Sequence, residues 1–149
     1  MPHLDEPSGV KTILVVDDEK AVLSITGALL IRGGFDILQA LSGAEALEIC
    51  RKNGSYIDLL LTDVMMPEMT GPQLVEKLLP LYPEMRMAYM SGCADFQSEK
   101  RRPLSYKWLV HKPFTPDALV AFVRDVLDEP RKREPGRQVP SGNLRKTGS

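Results

Sequence analysis

The sequence predicts an α/β domain in which helices cover both faces of a parallel sheet. Three observations predict it. Short apolar runs alternate with longer stretches whose apolar residues recur every three or four positions. Capping residues and glycines fall at the junctions. The first run, Thr12–Val16 (TILVV), is apolar or β-branched at every position, as a strand buried on both faces must be. The 149 residues, 43% of them hydrophobic, suit one compact core.

Taken in order, residues 19–32 read as a helix with Val22, Ile25 and Leu29 on one face, stopped by Gly33-Gly34. Phe35–Ala40 is a second, weaker strand. Ser42-Gly43-Ala44-Glu45 has the pattern of a capping box and starts a helix ending near Asn53-Gly54. Asp58–Thr62 is a third strand. Thr70-Gly71-Pro72-Gln73 opens another helix, with proline in its first turn and a stop near Pro80. Met85–Met90 and Lys107–His111 are the fourth and fifth strands, and Asp95–Arg102 is a short polar helix limited by Pro103. Thr115-Pro116 caps the last helix, where Leu119, Phe122, Val123, Val126 and Leu127 form an apolar stripe. Strand–helix alternation favours right-handed crossovers and a parallel sheet. Five such units suit the flavodoxin-like doubly wound (βα)5 fold with strand order 2-1-3-4-5.

Residues 1–10 read as a disordered lead, 11–129 as the folded domain and 130–149 as a flexible basic tail. Net charge is −1, but the tail carries +5 and the remainder −6. The tail has no aromatic residue to stack on bases, so no direct DNA binding is expected. No apolar run is long enough to span a membrane, and the first residues lack the basic start and apolar centre of a secretory signal. A cytoplasmic protein is expected. Two cysteines, Cys50 and Cys93, are too few for a disulfide framework.

In this fold ligands bind at the carboxyl ends of the strands. Asp17, Asp18 and Glu19 follow the first strand, Asp63 the third, Ser91-Gly92 the fourth and Lys112-Pro113 the fifth. Clustered carboxylates repel unless a cation lies among them. Oxygen ligands suit magnesium, whereas the two histidines and unpaired cysteines give no zinc set. A lysine and a hydroxyl beside such a cluster suit phosphoryl transfer. No glycine-rich nucleotide cradle is present.

Four segments, ILVVDDE (13–19), DLLLTDVMMPEMTG (58–71), MSG (90–92) and HKPF (111–114), give the chain its likeness to a known family. In order and spacing it resembles the response-regulator receiver family over roughly residues 11–128. The resemblance implies Asp63 as phospho-acceptor, and Lys112 and Ser91 as residues that contact the phosphoryl group. It implies a Mg2+ ion held by Asp18, Asp63 and the Met65 backbone carbonyl, with Asp17 acting through water. It implies a cis peptide at Lys112-Pro113, and room for the phosphoryl group beside Gly92. The implied donor is a histidine kinase or a histidine phosphotransfer protein, with an unknown protein downstream. Such a chain is not an enzyme beyond its own phosphorylation and dephosphorylation. Met65 offers no polar group to orient water, which implies slow hydrolysis. Where the family usually has an aromatic residue three positions before the lysine, this chain has Leu109, with Trp108 beside it. Two other readings stand alongside. A degenerate receiver would bind a partner without phosphorylation, and the intact acid, serine and lysine set weighs against it. A magnesium phosphatase with an aspartyl nucleophile would need Asp-x-Asp after the first strand, and Asp17-Asp18-Glu19 lacks that spacing.

Overall fold

The structure, a computed structural model, describes residues 9–92 and 108–130. Most of the lead and of the basic tail, the short helix expected within 95–102, and Cys93 lie outside them. Five strands and four helices follow one another: β1 (Thr12–Val16), α1 (Lys20–Arg32), β2 (Asp36–Ala40), α2 (Gly43–Asn53), β3 (Leu59–Asp63), α3 (Gly71–Leu78), β4 (Arg86–Ser91), β5 (Leu109–His111) and α4 (Pro116–Asp128). The strands form one sheet in the order β2-β1-β3-β4-β5. Every neighbouring pair is parallel. This is the doubly wound α/β architecture expected from the sequence.

Alternate side chains of a strand face opposite sides, and two cores result. Ile13, Val15, Leu59, Leu61, Ala88 and Met90 join Leu23 and Leu30 of α1 and Leu119, Val123 and Val126 of α4. Leu14, Val16 and Leu60 face the other way, onto Ala46 and Cys50 of α2 and Leu74 and Leu78 of α3. Both faces of the central strands are therefore buried, which is why β1 and β3 read as unbroken apolar runs. No helix among the described residues is long and apolar enough to cross a membrane.

The helix starts follow their capping chemistry. Thr70 and Gln73 form a reciprocal box, with bonds of 3.2 and 2.9 Å. Thr115 Oγ1 accepts from the Ala118 N–H at 3.1 Å. At α2, Ser42 Oγ accepts from the Glu45 N–H, but the Glu45 carboxylate reaches back to Leu41 N rather than to Ser42. Strand limits differ slightly from expectation. β3 runs one residue further, through Asp63, and β4 through Ser91, because ladder pairing continues to those residues. A single 3-10 turn at Gly54–Tyr56, which propensity alone gave no sign of, leads into β3.

One helix face departs from expectation. Leu23, Thr26, Gly27 and Leu30 are the buried residues of α1. The Val22, Ile25 and Leu29 face instead borders an open groove, and Ile25 is 60% exposed. Gly27 lies on the buried face, and a Cβ there would displace the Gln39 amide, whose Nε2 stands 2.2 Å from that point. The amide donates to the Leu23 carbonyl at 3.2 Å.

Candidate functional site

Parallel strands deliver their carboxyl ends to one edge. β1 and β3 are neighbours, with Val16 opposite Thr62, so the next residues, Asp17 and Asp63, emerge side by side. Asp17 is fully buried and Asp63 is 6% exposed, while Asp18 is open to solvent. Carboxylate oxygens of Asp17, Asp18 and Asp63 all lie within 4.8 Å of one another.

Lys112, just past β5, reaches across to this cluster. Its Nζ donates to Asp17 Oδ2 at 3.2 Å and lies 3.3 Å from Asp63 Oδ1. Burial opposes the charge on the ammonium, but the Asp63 and Asp17 carboxylates outweigh it and hold Lys112 above the ordinary lysine range. One ammonium and three carboxylates give these four groups a formal charge of −2. Closely placed carboxylate oxygens with that residual charge fit a hard divalent cation and do not fit a soft one.

Backbone bonds fix the frame. Asp17 N donates to the Ala40 carbonyl at 3.2 Å, and Glu19 N donates to Asp17 Oδ1 at 3.0 Å. Lys112 N donates to the Ser91 carbonyl at 2.8 Å, tying the lysine to the end of β4. The Lys112-Pro113 peptide is cis, as the resemblance implies. Ser91 is fully buried, with its hydroxyl donating to the Gly92 carbonyl at 3.0 Å. Among the described residues, no atom outside its chain neighbours lies within 4 Å of where a Gly92 Cβ would stand. Met65 is 53% exposed on the loop that follows Asp63. That loop turns on Glu68, whose φ is 70°, and the Met69 N–H closes onto the Pro67 carbonyl at 2.6 Å.

All the side chains singled out in the sequence are therefore at this edge. Two contributors were not singled out. The Val64 N–H donates to Asp63 Oδ1 at 3.1 Å and to the Met90 carbonyl at 3.0 Å. Gly71 donates its N–H to the Val64 carbonyl at 2.8 Å, and a Cβ on it would lie 2.3 Å from the Asp63 carbonyl oxygen. The first is a backbone contribution that leaves no side-chain signal. The second had a signal in Thr70-Gly71, which was read only as a helix start.

A groove of about 400 Å³ begins at Lys112 and Gly92 and runs along α1 between Val22, Ile25, Leu29 and Phe114. Its lining is mainly apolar. Leu109 and Trp108 lie on opposite faces of the sheet. Leu109 packs with Val64 and Tyr89, whereas Trp108 packs edge-on against Phe122 of α4, with ring centroids 6.0 Å apart.

Comparisons with known proteins agree with this geometry. A family profile described as the response regulator receiver domain matches residues 13–124. The sensor kinase CckA of Brucella abortus is 35% identical over 123 residues, covering 82% of this chain and 13% of that protein. The response regulator SaeR of Staphylococcus epidermidis is 28% identical over 116 residues, covering 77% of this chain and 49% of that protein. The chain thus spans half or less of these two curated relatives. Among solved structures, a response regulator receiver domain protein from Clostridium thermocellum superposes with a TM-score of 0.71 at 27% identity, covering 80% of this chain and 95% of that one. The receiver domain of the hybrid histidine kinase CckA gives 0.64 at 31% identity, covering 78% and 99%. With a profile match over residues 13–124 and a parallel sheet in the order β2-β1-β3-β4-β5, the chain belongs to the response-regulator receiver family.

Proposed function

We propose that this chain is a phospho-acceptor module of a two-component or phosphorelay system, accepting a phosphoryl group on Asp63 from a phosphohistidine donor. The observation that carries the proposal is the Asp63 carboxylate at the sheet edge, with Lys112 Nζ 3.3 Å from one oxygen and the Asp17 and Asp18 carboxylates beside it. An Asp63 oxygen attacks phosphorus in line. The P–O bond forms as the P–N bond to the donor imidazole breaks, and the electron pair leaves with the imidazole. Lys112 offsets charge on the equatorial oxygens, where a fixed cation stabilises the transition state. Ser91 exchanges its bond to the Gly92 carbonyl for one to a phosphoryl oxygen.

Asp18, Asp63 and the Met65 backbone carbonyl would hold a magnesium ion, with Asp17 acting through water. When bound, that ion supplies charge neutralisation at the transferring group. The apolar groove along α1 starts at the acceptor's rim. It offers a protein donor a surface to cover, and a donor helix with apolar side chains suits it. The Met65 side chain, half exposed, carries no polar group to orient an attacking water, which supports a long-lived acyl phosphate.

The test is phosphate-affinity gel electrophoresis after incubation with acetyl phosphate, with and without magnesium, on the native chain and on Asp63→Asn. A magnesium-dependent shifted band that Asp63→Asn lacks supports the proposal. A native chain that never shifts, even with its cognate kinase, leaves a phosphorylation-independent binding module as the better reading.

A further inference from the structure

We infer that Tyr89 is a positioning residue that links occupancy of the Asp63 carboxylate to the β4–β5 edge of the sheet; the inference rests on the phospho-acceptor reading above. It begins with the shared N–H of Val64. That single donor serves Asp63 Oδ1 at 3.1 Å and the Met90 carbonyl at 3.0 Å. A bifurcated donor divides its strength between its acceptors. In the unphosphorylated carboxylate the oxygen is an ionised acceptor, which draws an N–H more strongly than a neutral one. Once Asp63 carries a phosphoryl group, its oxygens hold less of that charge, and the donor's balance moves toward Met90. The state of Asp63 thus sets how firmly the end of β3 is tied to β4.

Tyr89 is placed to feel that change from three sides. It precedes Met90 in β4, so a pull on the Met90 carbonyl moves its own backbone. Its ring packs on the Val64 side chain, in a small cluster separate from both main cores, with Val75 of α3 and Leu109 of β5 at its margin. In the ladder it stands directly opposite Leu109. Ser91, two residues on, shares its face of the strand, so a shift of the serine toward the phosphoryl group also passes through this segment. Tyr89 is the one aromatic ring of the described cluster. Trp108, the aromatic residue just before β5, is engaged elsewhere: it packs on Phe122, and its Nε1–H donates to Glu129 Oε1 at 2.7 Å.

The test uses the full 149-residue chain with 3-fluorotyrosine at its tyrosines, observed by fluorine NMR with magnesium, with and without beryllofluoride as a stand-in for the phosphoryl group. Tyr89→Phe assigns the Tyr89 resonance by its loss, and Asp63→Asn serves as the unliganded control. Protein-bound beryllofluoride has fluorine signals of its own, so occupancy of Asp63 is read in the same spectrum. The expected result is a bound-fluoride signal together with a shift of the Tyr89 resonance larger than its line width, while Tyr56 and Tyr82 stay in place. A ring that merely fills space would not single itself out from Tyr82, which is also packed and bonds the Cys50 carbonyl far from the site. A bound-fluoride signal with Tyr89 stationary overturns the coupling and leaves the acceptor reading intact. No bound-fluoride signal in the native chain overturns both.

Discussion

Replacing Lys112 with methionine keeps most of the side-chain volume and removes the ammonium that faces Asp17 and Asp63. Asp17 is fully buried, and the Asp63 and Lys112 side chains are 8% and 17% exposed. Breaking a buried ion pair from one side costs ~3–5 kcal/mol, because the remaining charge stays desolvated. Partial access at Lys112 places the cost near the low end, about 3 kcal/mol. For a domain of this size that lowers the melting temperature by about 12 °C. Urea denaturation with a chelator present measures it, and the slope should be unchanged while the midpoint falls. The double-mutant cycle with Asp17→Asn is the sharper assay, because neutralising Asp17 removes part of the reason the lysine is needed. A coupling of at least about 1 kcal/mol is expected between two groups 3.2 Å apart. Magnesium should recover part of the Lys112→Met deficit, since a ligand that binds only the folded state stabilises it. The pH dependence has a definite sign. Lys112 is held above its ordinary value of 10.5, so its contribution is fully present below 10.5 and lost as pH rises through the higher folded value. The gap between native and variant should therefore stay level from neutral pH to about 10 and close above it. Equal urea midpoints for native and Lys112→Met, or strictly additive effects with Asp17→Asn, would refute the reasoning.

Gly71→Ala should cost ~1–3 kcal/mol, as overpacking does, because its Cβ would stand 2.3 Å from the Asp63 carbonyl oxygen; urea midpoints check the stability, and acetyl phosphate labelling checks the expected slowing. Ile25→Glu places a charge in the apolar groove beside the acceptor and should slow transfer from a phosphohistidine protein by roughly fivefold or more, the loss expected of one good interface contact; rapid-quench rates with protein and small-molecule donors compare the two, and an equal loss with both would locate the effect at the acceptor instead. Burial pushes the Cys50 thiol up to about 11, so iodoacetamide at mildly alkaline pH should leave Cys50 unlabelled by mass spectrometry until urea unfolds the chain. By linkage, Cys50 stays protonated in the folded state as the unfolded thiol begins to ionise, so its contribution to stability falls as pH rises from about 9.

Much of the fold was legible because burial on both faces leaves a mark that does not depend on distant residues. β1 and β3 read as central strands, and β2, which pairs only with β1 at the sheet's rim, read as weaker because its Asp36–Gln39 stretch is only partly buried. Caps were legible for a similar reason. Thr70 with Gln73, and Thr115 with Pro116, satisfy amides within a few residues of themselves. The buried face of α1 was not legible. Apolar residues sit almost all round that helix, including Val22, Leu23, Ile25, Leu29, Leu30 and Ile31, so periodicity gave no unique answer. The contacts of that face, such as the Gln39 amide against Gly27, belong to the tertiary structure.

The acids, serine and lysine of the site were legible because a parallel sheet delivers every strand's carboxyl end to one edge, and a strand-end list is then a list of neighbours. What such a list cannot contain is the main chain. Val64 is an ordinary apolar residue in sequence, yet its N–H touches both the acceptor and the strand beside it. Gly71 reads as the start of a helix, yet its lack of a Cβ lets the loop return over Asp63. Both residues act through atoms that every amino acid, or only the smallest, possesses, so composition and motif are blind to them. The side chains define which chemistry is available at this edge. On the proposed reading, the main chain passes a change of charge on Asp63 to β4, and the divided Val64 N–H is the point at which it does so.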